Sequence, residues 1–502
     1  MTFSSLVFIC IFLPIVFTLH CAIPSLKVRN ALLVIASLLF YAFGEPIYVL
    51  LMIASAFMNY LSAILIDRVN GKLFLIVAIV LNIGTLSVFK YAGFAVTSVN
   101  NLFGSGIPVP QIALPIGISF FTFQALSYVI DVYRGQVDVQ KSFGKVLLYI
   151  SFFPQLIAGP IVKYRDIELE INDRKLEVNE IAPGLRRFIV GLAKKVLIAN
   201  TMAVTADNIF NSDISDLNII LAWIGALAYV MQIYFDFSGY SDMAIGLGRM
   251  FGFHFKENFN HPYISTNIKE FWRRWHISLS SWFKDYVYIP LGGNQKGKLR
   301  TAINKIIVFF LTGLWHGANW TFVAWGLFHG LFSFIEEFIP SIRKLPKLIG
   351  HIYLMVVVTV GFAIFRADSL SYAGGFLAKM FTGFDFSQEY MSLALRQLTP
   401  WFIVMFIAAV VCMGTFERLV ERFYKSIGDA GEAASTGDNA VGADACYAAG
   451  TGNEAGGAVS TSGSRKATIL ETVLSVIAVL LLVWCVLRLS SGSYNPFIYF
   501  RF

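Results

Sequence analysis

Apolar stretches of about 20 residues recur along the chain, and short polar connections separate them. An α-helix needs about 20 predominantly apolar residues to cross a bilayer, so each stretch of that length predicts a membrane span. The pattern places the spans at 4–23, 47–65, 73–93, 111–130, 217–236, 304–337, 350–366, 401–416 and 467–488. The longest stretch, 304–337, predicts two segments that are broken at Gly317.

Three shorter apolar stretches, at 31–44, 146–159 and 186–204, are typical of spans, re-entrant segments or interfacial helices. With these included, we expect the chain to cross the membrane about ten to twelve times. The first stretch leads directly into further spans and has no cleavage site of small residues before Pro24. We therefore interpret it as a span and not as a cleaved signal peptide.

The overall composition agrees with this pattern. Hydrophobic residues make up 57% of the 502 residues, charged residues make up only 14%, and the mean hydropathy is +0.67. A water-soluble domain is about half apolar and about a quarter charged. The fold class that the sequence predicts is an all-α polytopic membrane protein.

Positive charge is concentrated in the connections between spans, within a net charge of +8 for the whole chain. The connection from Phe255 to Thr301 has eight lysine or arginine residues against three acidic ones. Such an excess marks cytoplasmic connections, and Lys27 and Arg29 after the first span then place the N-terminus outside. Because the charge follows the membrane topology, it does not indicate nucleic-acid binding.

One segment, 427–466, is rich in Gly, Ala, Ser and Thr and has almost no large apolar side chains. It buries too little surface to offset the entropy lost on ordering, so we predict a flexible linker. Basic residues on both sides indicate that it is cytoplasmic. The predicted organisation is a membrane domain at 1–426, this linker at 427–466, and a final transmembrane helix with an outer aromatic tail at 467–502.

Motifs for metal binding and for covalent catalysis are missing from the sequence. The five cysteines lie mostly within predicted spans and have no CxxC or zinc-site spacing, so we expect neither a disulfide framework nor a metal site. The run from Gly246 to Gly252 has the wrong spacing for a dinucleotide-binding loop and is interpreted as helix packing. No GxSxG or HExxH motif occurs.

A histidine, His316, lies inside the apolar stretch 304–337, in the run Leu-Trp-His-Gly-Ala-Asn-Trp. An imidazole at membrane depth is costly unless it faces a protein interior or a wet cavity, so it indicates a functional site. The neighbouring residues Trp315, Gly317 and Trp320 favour a shaped pocket over a lipid-facing surface. The alternative is a structural histidine that is hydrogen-bonded between helices.

Two further runs interleave polar and aromatic residues before His316. In the first, Asp236 and Asp242 come at the end of a predicted span, and we expect them to form salt bridges with arginines rather than to be catalytic. The second run, Phe-Trp-Arg-Arg-Trp-His, ends at His276 and is also typical of an interfacial amphipathic helix.

Four motifs in this order resemble those of the membrane-bound O-acyltransferase family. They are Phe-Pro-Gln-Leu-Ile-Ala-Gly-Pro at 153–160, Asp-Phe-Ser-Gly-Tyr-Ser-Asp at 236–242, Phe-Trp-Arg-Arg-Trp-His at 271–276 and Trp-His-Gly-Ala-Asn-Trp at 315–320. Within the family, residues 3–5 and 40–46 resemble the alginate-type members of a bacterial branch. That branch also includes peptidoglycan O-acetyltransferases and the teichoic-acid D-alanylation protein.

The resemblance covers nearly the whole chain except 427–466, and it implies an architecture. Members of the family form a ring of helices around a thin central floor, with a funnel that is reached from both sides of the membrane. For the bacterial branch this is the cytoplasmic membrane. Irregular backbone at 146–159 and 255–300 suits such a floor, because it survives at membrane depth only where protein or water covers it.

The resemblance also implies a chemistry. His316 matches the catalytic histidine of the family, and His276 matches its second polar position. Transfer of an acyl group from a thioester to a hydroxyl needs a base, and a positioned imidazole typically contributes about 10²–10⁴-fold. We expect His316 to be this base and His276 to orient the donor or to polarise its thioester carbonyl.

Donor, acceptor and partners are implied in the same way. No bound cofactor is expected; the acyl donor would be acetyl-CoA or an acylated carrier protein in the cytoplasm. The acceptor would be a hydroxyl of an extracytoplasmic polysaccharide, or a partner acyltransferase of the SGNH (AlgX) type outside the membrane. Acetyl is favoured over D-alanyl by the resemblance alone.

The basic connection 255–300 is the predicted donor-binding face. Arg273, Arg274 and Lys284 would contact phosphates of CoA or of a phosphopantetheine arm, because guanidinium groups bind phosphate strongly. Trp315 and Asn319 are further candidates for contacts with the donor. Ordinary membrane topology accounts for the same charges equally well.

The C-terminal octapeptide, at 495–502, is aromatic and nearly uncharged. Free ends are normally polar, so we predict that this tail enters the outer funnel, where the family resemblance implies that Tyr499 relays the acyl group. The family's D-alanylation system uses a similar terminal tyrosine. The alternative is an anchor at the aromatic belt of the membrane surface.

Two other classes of protein fit parts of the sequence. Intramembrane histidines and carboxylates also occur in transporters and flippases, although the chain has no internal repeat and its polar residues cluster in one third. A non-catalytic scaffold for an envelope complex would keep polymer acylation after His316→Ala. The four motifs favour the acyltransferase.

Overall fold

The computed structural model describes residues 1–414, 461–492 and 494–495. Within these ranges the chain is helical and has no β-strand, which confirms the all-α class. Numbered in chain order, the helices are α1 (Phe8–Ala22), α2 (Leu26–Ala42), α3 (Tyr48–Arg68), α4 (Gly71–Phe103), α5 (Ile118–Tyr133), α6 (Phe143–Ser151), α7 (Tyr164–Asn172), α8 (Val178–Phe210), α9 (Ile219–Met250), α10 (Ile268–Arg274), α11 (Ile277–Phe283), α12 (Gly297–His316), α13 (Trp320–Phe338), α14 (Lys347–Arg366), α15 (Leu370–Thr382), α16 (Gln388–Gln397), α17 (Pro400–Cys412) and α18 (Thr461–Ser490).

Among the described residues, six helices are long and apolar enough to cross a membrane: α3, α4, α8, α9, α14 and the Ile469–Ser490 part of α18. Helices α16 and α17 are bent by 64° at their junction and would add a seventh if they form one broken span. Helices α1 and α5 are apolar but shorter. The multi-pass membrane class is confirmed, and the expected number of about ten to twelve crossings stays a prediction.

The predicted break within 304–337 is confirmed. Helix α12 ends at His316 and α13 begins at Trp320, so the two helices form a hairpin whose apex is residues 317–319. The predicted segment 146–159 is broken as well. It forms α6 and a separate helical turn at Phe153–Leu156, because Pro154 cannot continue a helix at an interior position.

Helix α9 extends beyond the predicted span 217–236 and ends only at Met250. The prediction stopped where polar residues begin, but those residues lie inside the protein, where basic side chains of α8 meet them. Asp236 is paired with Lys195 (2.7 Å), and Asp242 is paired with Lys194 (2.8 Å). A satisfied carboxylate does not end a helix, so hydropathy alone underestimated the length of α9.

Helices α8 and α9 approach each other along a row of glycines. A Cβ atom on Gly246 would lie 2.5 Å from the main-chain oxygen of Gly184, and one on Gly191 would lie 2.5 Å from that of Gly239. No side chain larger than hydrogen fits these positions without moving the backbones apart. The interpretation of the Gly246 run as helix packing is confirmed.

One end of the bundle joins segments that are far apart in sequence. Arg366, at the end of α14, is paired with Asp207 near the end of α8 (2.7 Å). Tyr494, just beyond α18, donates a hydrogen bond to the same carboxylate (2.8 Å). Asn495 donates to the main-chain oxygen of Ser4 (3.2 Å), so the N-terminal residues lie at this end too.

Some predictions fall wholly or partly outside the described residues. These are residues 415–426 of the predicted membrane domain, including the end of the predicted span 401–416, residues 427–460 of the predicted linker, and the aromatic tail from residue 496, including Tyr499. Helix α18 begins at Thr461, six residues before the expected start of the final span at 467.

Candidate active site

His316 is the last residue of α12, and the chain turns sharply after it. Gly317 is extended (φ −170°, ψ 160°), and a Cβ atom at this position would collide with the ring of Phe322. Asn319 then begins α13, because its side-chain oxygen accepts a hydrogen bond from the main-chain N–H of Thr321 (3.1 Å). The tight hairpin therefore fixes where the His316 imidazole lies.

Aromatic rings surround the His316 imidazole, which is only 9% exposed. The rings of Trp325 and Phe365 each meet it edge-on, with centroids 5.2 Å away, and the ring of Trp315 lies 5.1 Å away. These contacts hold the imidazole in one orientation and exclude bulk water from it. Electrostatic interactions are strengthened in such an environment.

Lys90 of α4 covers the end of helix α12. Its ammonium group donates to the main-chain oxygens of Trp315 (2.5 Å) and His316 (3.3 Å) and to Oγ of Ser119 (3.1 Å). The neighbouring Tyr91 donates to the oxygen of Leu314 (2.7 Å). The last carbonyls of a helix lack partners within the helix and carry partial negative charge, so a lysine is well suited there.

Sequence reasoning missed Lys90. It lies inside the predicted span 73–93, and an ionisable residue in a span is itself a sign of a functional site. The rule that singled out His316 would have found Lys90 as well.

A cavity of about 240 Å³ lies beside His316. Its polar lining comes from Lys90, Ser119 and His316, and its apolar lining includes Trp315 and Ile157. The segment 114–120 forms much of the remaining wall. A small acyl group fits in a space of this size.

His276 approaches from a different part of the chain, between the short helices α10 and α11. It adopts a left-handed backbone conformation (φ 47°, ψ 53°) that is uncommon for any residue other than glycine, and it is only 1% exposed. Strained backbone of this kind is often found at functional sites.

Asn258 fixes the tautomer of His276. Its Oδ1 lies 3.1 Å from the main-chain nitrogen of Ser278, which can only donate a hydrogen bond, so the atom at this position must be the amide oxygen. The same oxygen lies 3.2 Å from Nδ1 of His276. Nδ1 therefore carries the hydrogen, and in the neutral ring Nε2 carries the lone pair.

The two predicted histidines lie close together. Their ring centroids are 6.4 Å apart, and Trp315 packs near both rings, 6.0 Å from His276. Phe237 of α9 closes the other side of His276, with a centroid separation of 4.5 Å. Nε2 of His276 is buried and has no hydrogen-bond partner among the described residues.

The predicted donor-binding residues divide into two groups. Arg273 and Lys284 are exposed, whereas Arg274 is engaged with Glu270 (3.1 Å) and with the main-chain oxygen of Asn260 (3.2 Å). Arg273 and Lys284 can therefore meet a phosphate at the surface directly, whereas Arg274 would first have to break its contacts with Glu270 and Asn260.

The other two donor-binding candidates have structural contacts. Trp315 packs against Phe120 and Phe123, at 5.2 and 5.7 Å between centroids. Asn319, besides capping α13, donates to the main-chain oxygen of Asp368 (3.0 Å). The role of both residues in donor binding stays a prediction.

The expectation of ion pairs at Asp236 and Asp242 is confirmed, with a correction to the partners. Asp242 is paired with one arginine, Arg187 (2.9 Å), and with Lys194, whereas the partner of Asp236 is Lys195. Both carboxylates lie within α9, not at its end. Their contacts hold α8 to α9 at membrane depth.

A second ion-pair cluster anchors the segment that follows α11. Asp285 is paired with Lys163 (2.7 Å) and Arg165 (2.5 Å), and Tyr286 donates to both carboxylate oxygens of Asp131 (2.8 Å each). Burial alone would raise the pKa of Asp285, but the hydrogen bonds and charges of the two basic residues outweigh it and hold that pKa below its ordinary value.

Relatives of known family are similar to the chain over its full length. It is 40% identical over 514 residues to "Probable alginate O-acetylase AlgI" of Azotobacter vinelandii, and 38% identical over 532 residues to the protein of that name from Pseudomonas aeruginosa. In both cases the alignment covers 100% of each chain. The model of the membrane-bound O-acyltransferase family matches residues 136–367, which contain both histidines.

The chain belongs to the membrane-bound O-acyltransferase family. Within it, the full-length similarity to the AlgI proteins confirms the alginate-type branch. Another relative, "Peptidoglycan O-acetyltransferase" of Helicobacter pylori, is 38% identical over 412 residues, which cover 74% of this chain and 78% of that protein. The protein is thus a membrane-bound acyltransferase, and the comparisons favour this class over a transporter.

Proposed function

We propose that this acyltransferase moves an acyl group, most simply acetyl, from a cytoplasmic thioester to a hydroxyl on the outer side of the bacterial cytoplasmic membrane. The observation that carries the proposal is the pair of imidazoles, 6.4 Å apart, in an aromatic enclosure that adjoins a cavity. Support for acetyl comes from the names of the relatives from Azotobacter, Pseudomonas and Helicobacter.

His316 would act as the base. The oxygen of the acceptor hydroxyl attacks the thioester carbonyl while its proton passes to the imidazole. The carbon–sulfur bond then breaks, the imidazole gives the proton to the sulfur, and the donor leaves as a thiol. Only the neutral imidazole can take the proton, and a positioned base of this kind typically gives about 10²–10⁴-fold. The cavity beside His316 would hold the acyl group during transfer.

His276 would orient the donor. In the tautomer that Asn258 imposes, neutral His276 can accept a hydrogen bond at Nε2 but cannot donate one there. It therefore suits an N–H group of the donor, such as an amide of a pantetheine arm. Of the two roles expected for His276, orientation fits this tautomer, whereas polarising a carbonyl would need a second proton on the ring.

Transfer across the membrane would need the paired histidines to be reached by the donor and the acceptor from different sides. His276 lies on the connection 255–300, whose basic residues favour the cytoplasm, and Arg273 and Lys284 remain exposed there to meet phosphates of the donor. His316 ends α12, which is 20 residues long and so about 30 Å from end to end, and His276 lies beside it, so both imidazoles would lie deep within the protein. The donor would reach this pair of histidines from the basic cytoplasmic face, and the acceptor would reach the same pair from the outer side.

The acceptor would be a polysaccharide hydroxyl or an extracytoplasmic partner of the SGNH type. We keep Tyr499 as a relay to that acceptor. Its support is that Tyr494 and Asn495, a few residues earlier, are hydrogen-bonded to Asp207 and Ser4 at the end of the bundle that the proposed topology places outside. The tail would therefore start at the correct side of the membrane.

Deletion of the gene, followed by return of wild-type or variant protein, tests the proposal. Mass spectrometry of the envelope polysaccharides should show acyl groups with the wild type, none with His316→Ala, and a reduced amount with His276→Ala. Membrane insertion and thermal stability of each variant must match the wild type. Polysaccharides that are acylated to the same extent without the protein would contradict the proposal.

A further inference from the structure

Arg174, in the connection between α7 and α8, uses only one of its three guanidinium nitrogens for hydrogen bonds within the described residues. The residue is only 5% exposed. Its Nη1 donates to Oδ1 of Asn30 (2.8 Å) and to the main-chain oxygen of Glu170 (3.2 Å). Nε and Nη2 are buried and have no acceptor among the described residues.

The two unused groups lie on the same edge of the guanidinium. Nε–H and Nη2–H point in parallel and match two oxygens of a phosphate or carboxylate group. The guanidinium also packs over the ring of Phe253, 4.3 Å from its centroid, which holds the edge in place. A preformed bidentate donor is therefore present and empty of protein partners within the described ranges.

His20 is a second buried polar side chain in this region of the fold. It is fully buried at the end of α1, and both of its ring nitrogens lack a partner among the described residues. It lies within electrostatic range of Arg174 and of the half-exposed Arg29. Phe251 packs edge-on against it at 5.1 Å, two residues from the phenylalanine under Arg174.

The nearest acidic side chain is directed elsewhere. Glu170, one helical turn before Arg174, uses its carboxylate for Nδ1 of His254 (2.8 Å) and for the main-chain N–H of that residue (3.1 Å). No carboxylate is ion-paired with Arg174 in the part of the chain that the structure describes. The carboxylate of Glu170 acts on Arg174 only at a distance, and a buried charge without a directly paired counterion is costly, so an anion bound at this position would stabilise the protein.

The surroundings of Arg174 indicate the membrane surface as the source of that anion. Lys27 and Lys175 are exposed close to Arg29 and Arg174 in sequence, as are the large apolar side chains of Leu169 (82% exposed) and Val178 (77%). Exposed apolar and basic side chains together are typical of the headgroup region. The predicted topology also places the end of α1 on the cytoplasmic side.

We propose that Arg174, with His20 and Arg29, binds a phosphate group at the cytoplasmic surface of the membrane. A phosphate has enough acceptor oxygens for the guanidinium edge and for donors from both neighbours, whereas a carboxylate has two. The group belongs either to a phospholipid headgroup or to a soluble phosphate compound. This site is separate from the two histidines and does not depend on the proposed acyl transfer.

The test measures ligand-induced stabilisation of the purified full-length protein in detergent. The probes are phosphatidylglycerol, diacylglycerol as its phosphate-free counterpart, and inorganic pyrophosphate. We expect a saturable rise in the melting temperature of the wild type with at least one phosphate probe and none with diacylglycerol. Arg174→Gln should weaken the apparent affinity at least about tenfold, because bidentate charge-assisted bonds are lost.

Two further variants make the result decisive. Arg68→Gln, an exposed arginine at the end of α3, should bind as the wild type does. Arg174→Lys keeps the charge but lacks the bidentate edge, so it should also bind about tenfold more weakly, and it stands in for Arg174→Gln if that protein does not fold.

A response to phosphatidylglycerol alone identifies a lipid headgroup, and a response to pyrophosphate identifies a soluble phosphate. Equal responses of wild type and Arg174→Lys, or of phosphatidylglycerol and diacylglycerol, would overturn the proposal, as would stabilisation by an acidic peptide alone.

Discussion

Replacement of Asn258 by leucine tests whether the tautomer and orientation of His276 matter for activity, because both histidines stay in place. Leucine is close to asparagine in size but can neither accept nor donate a hydrogen bond. Asn258 Oδ1 accepts from Nδ1 of His276 and from both the main-chain nitrogen and Oγ of Ser278, and its Nδ2 donates to Oγ of Ser241 (3.2 Å). Asn258→Leu therefore removes four hydrogen bonds at one buried position.

The size of the effect follows from these contacts. At about 0.5–1.5 kcal/mol for each hydrogen bond, Asn258→Leu should lower the free energy of unfolding by about 2–6 kcal/mol. Loss of the bond to His276 alone, at the same strength, shifts the ratio of its two tautomers by about 2- to 13-fold. If acyl transfer uses the lone pair on Nε2, kcat should fall in protein that is still folded, by at most this factor, because kcat follows the fraction of the ring in that tautomer.

Ser241→Ala is the matched control. It removes only the bond from Nδ2 of Asn258 and leaves all three contacts of the amide oxygen, so the tautomer of His276 is unchanged. We expect a loss of about 1 kcal/mol in stability and less than about a twofold change in kcat. The assay is the steady-state rate of thioester consumption by purified protein, with melting temperature recorded for every variant.

Two results would refute the reasoning. One is an unchanged kcat in folded Asn258→Leu protein, which would mean that the tautomer of His276 does not matter for turnover. The other is an equal loss of kcat in Ser241→Ala, which would attribute the effect to general loosening of this region rather than to His276.

Four other changes test separate parts of the account. Gly317→Ala forces a methyl group into the ring of Phe322, so the melting temperature and the activity should both fall, and a wild-type melting curve would show that the hairpin does not need glycine. The pKa of Asp285 is depressed, so its contribution to stability is present at neutral pH and is lost as the pH falls below the ordinary carboxyl range; Asp285→Asn should therefore flatten the decline of melting temperature in acid, and an unchanged decline would rule the ion pairs out as its cause. Arg273→Glu should raise the KM for the donor with little change in kcat, and an unchanged KM in correctly inserted protein would leave only a topological role for this charge. Tyr499→Phe keeps an aromatic anchor but removes the hydroxyl, so it should abolish transfer if the tyrosine is a relay, and full activity would identify the tail as an anchor.

The class of the protein could be read from the sequence because it depends on one-dimensional signals. Apolar stretches located the α12–α13 hairpin and its break at Gly317, an imidazole at membrane depth marked His316, and the family motif marked His276. These signals work because a lipid environment leaves the chain few alternatives to the helix.

Helix boundaries were harder to predict where polar residues are satisfied by tertiary contacts. The end of α9 was placed near Asp236, although the helix continues to Met250, because the partners of its carboxylates lie on α8. Hydropathy treats such a carboxylate as solvent-exposed. Only the packing of α8 against α9 shows that it is paired.

The geometry of the site was not predictable from the sequence for a similar reason. Asn258 lies 18 positions before His276 and was not singled out, yet it determines which nitrogen of that ring carries the hydrogen. Lys90 reaches the end of α12 from a helix that is more than 200 positions away in the chain. Contacts at such separations leave no periodic pattern, although a lysine within a span was itself a signal.

The most direct test of the central claim compares wild-type protein with His316→Ala in acyl transfer from a thioester donor to a small hydroxyl acceptor, using purified protein and measuring kcat and KM. The account predicts that His316→Ala loses transfer by about 10²–10⁴-fold in kcat, while its melting temperature and its affinity for the donor stay close to those of the wild type. Folded His316→Ala protein that transfers acyl groups at a rate near that of the wild type would contradict the assignment of His316 as the catalytic base.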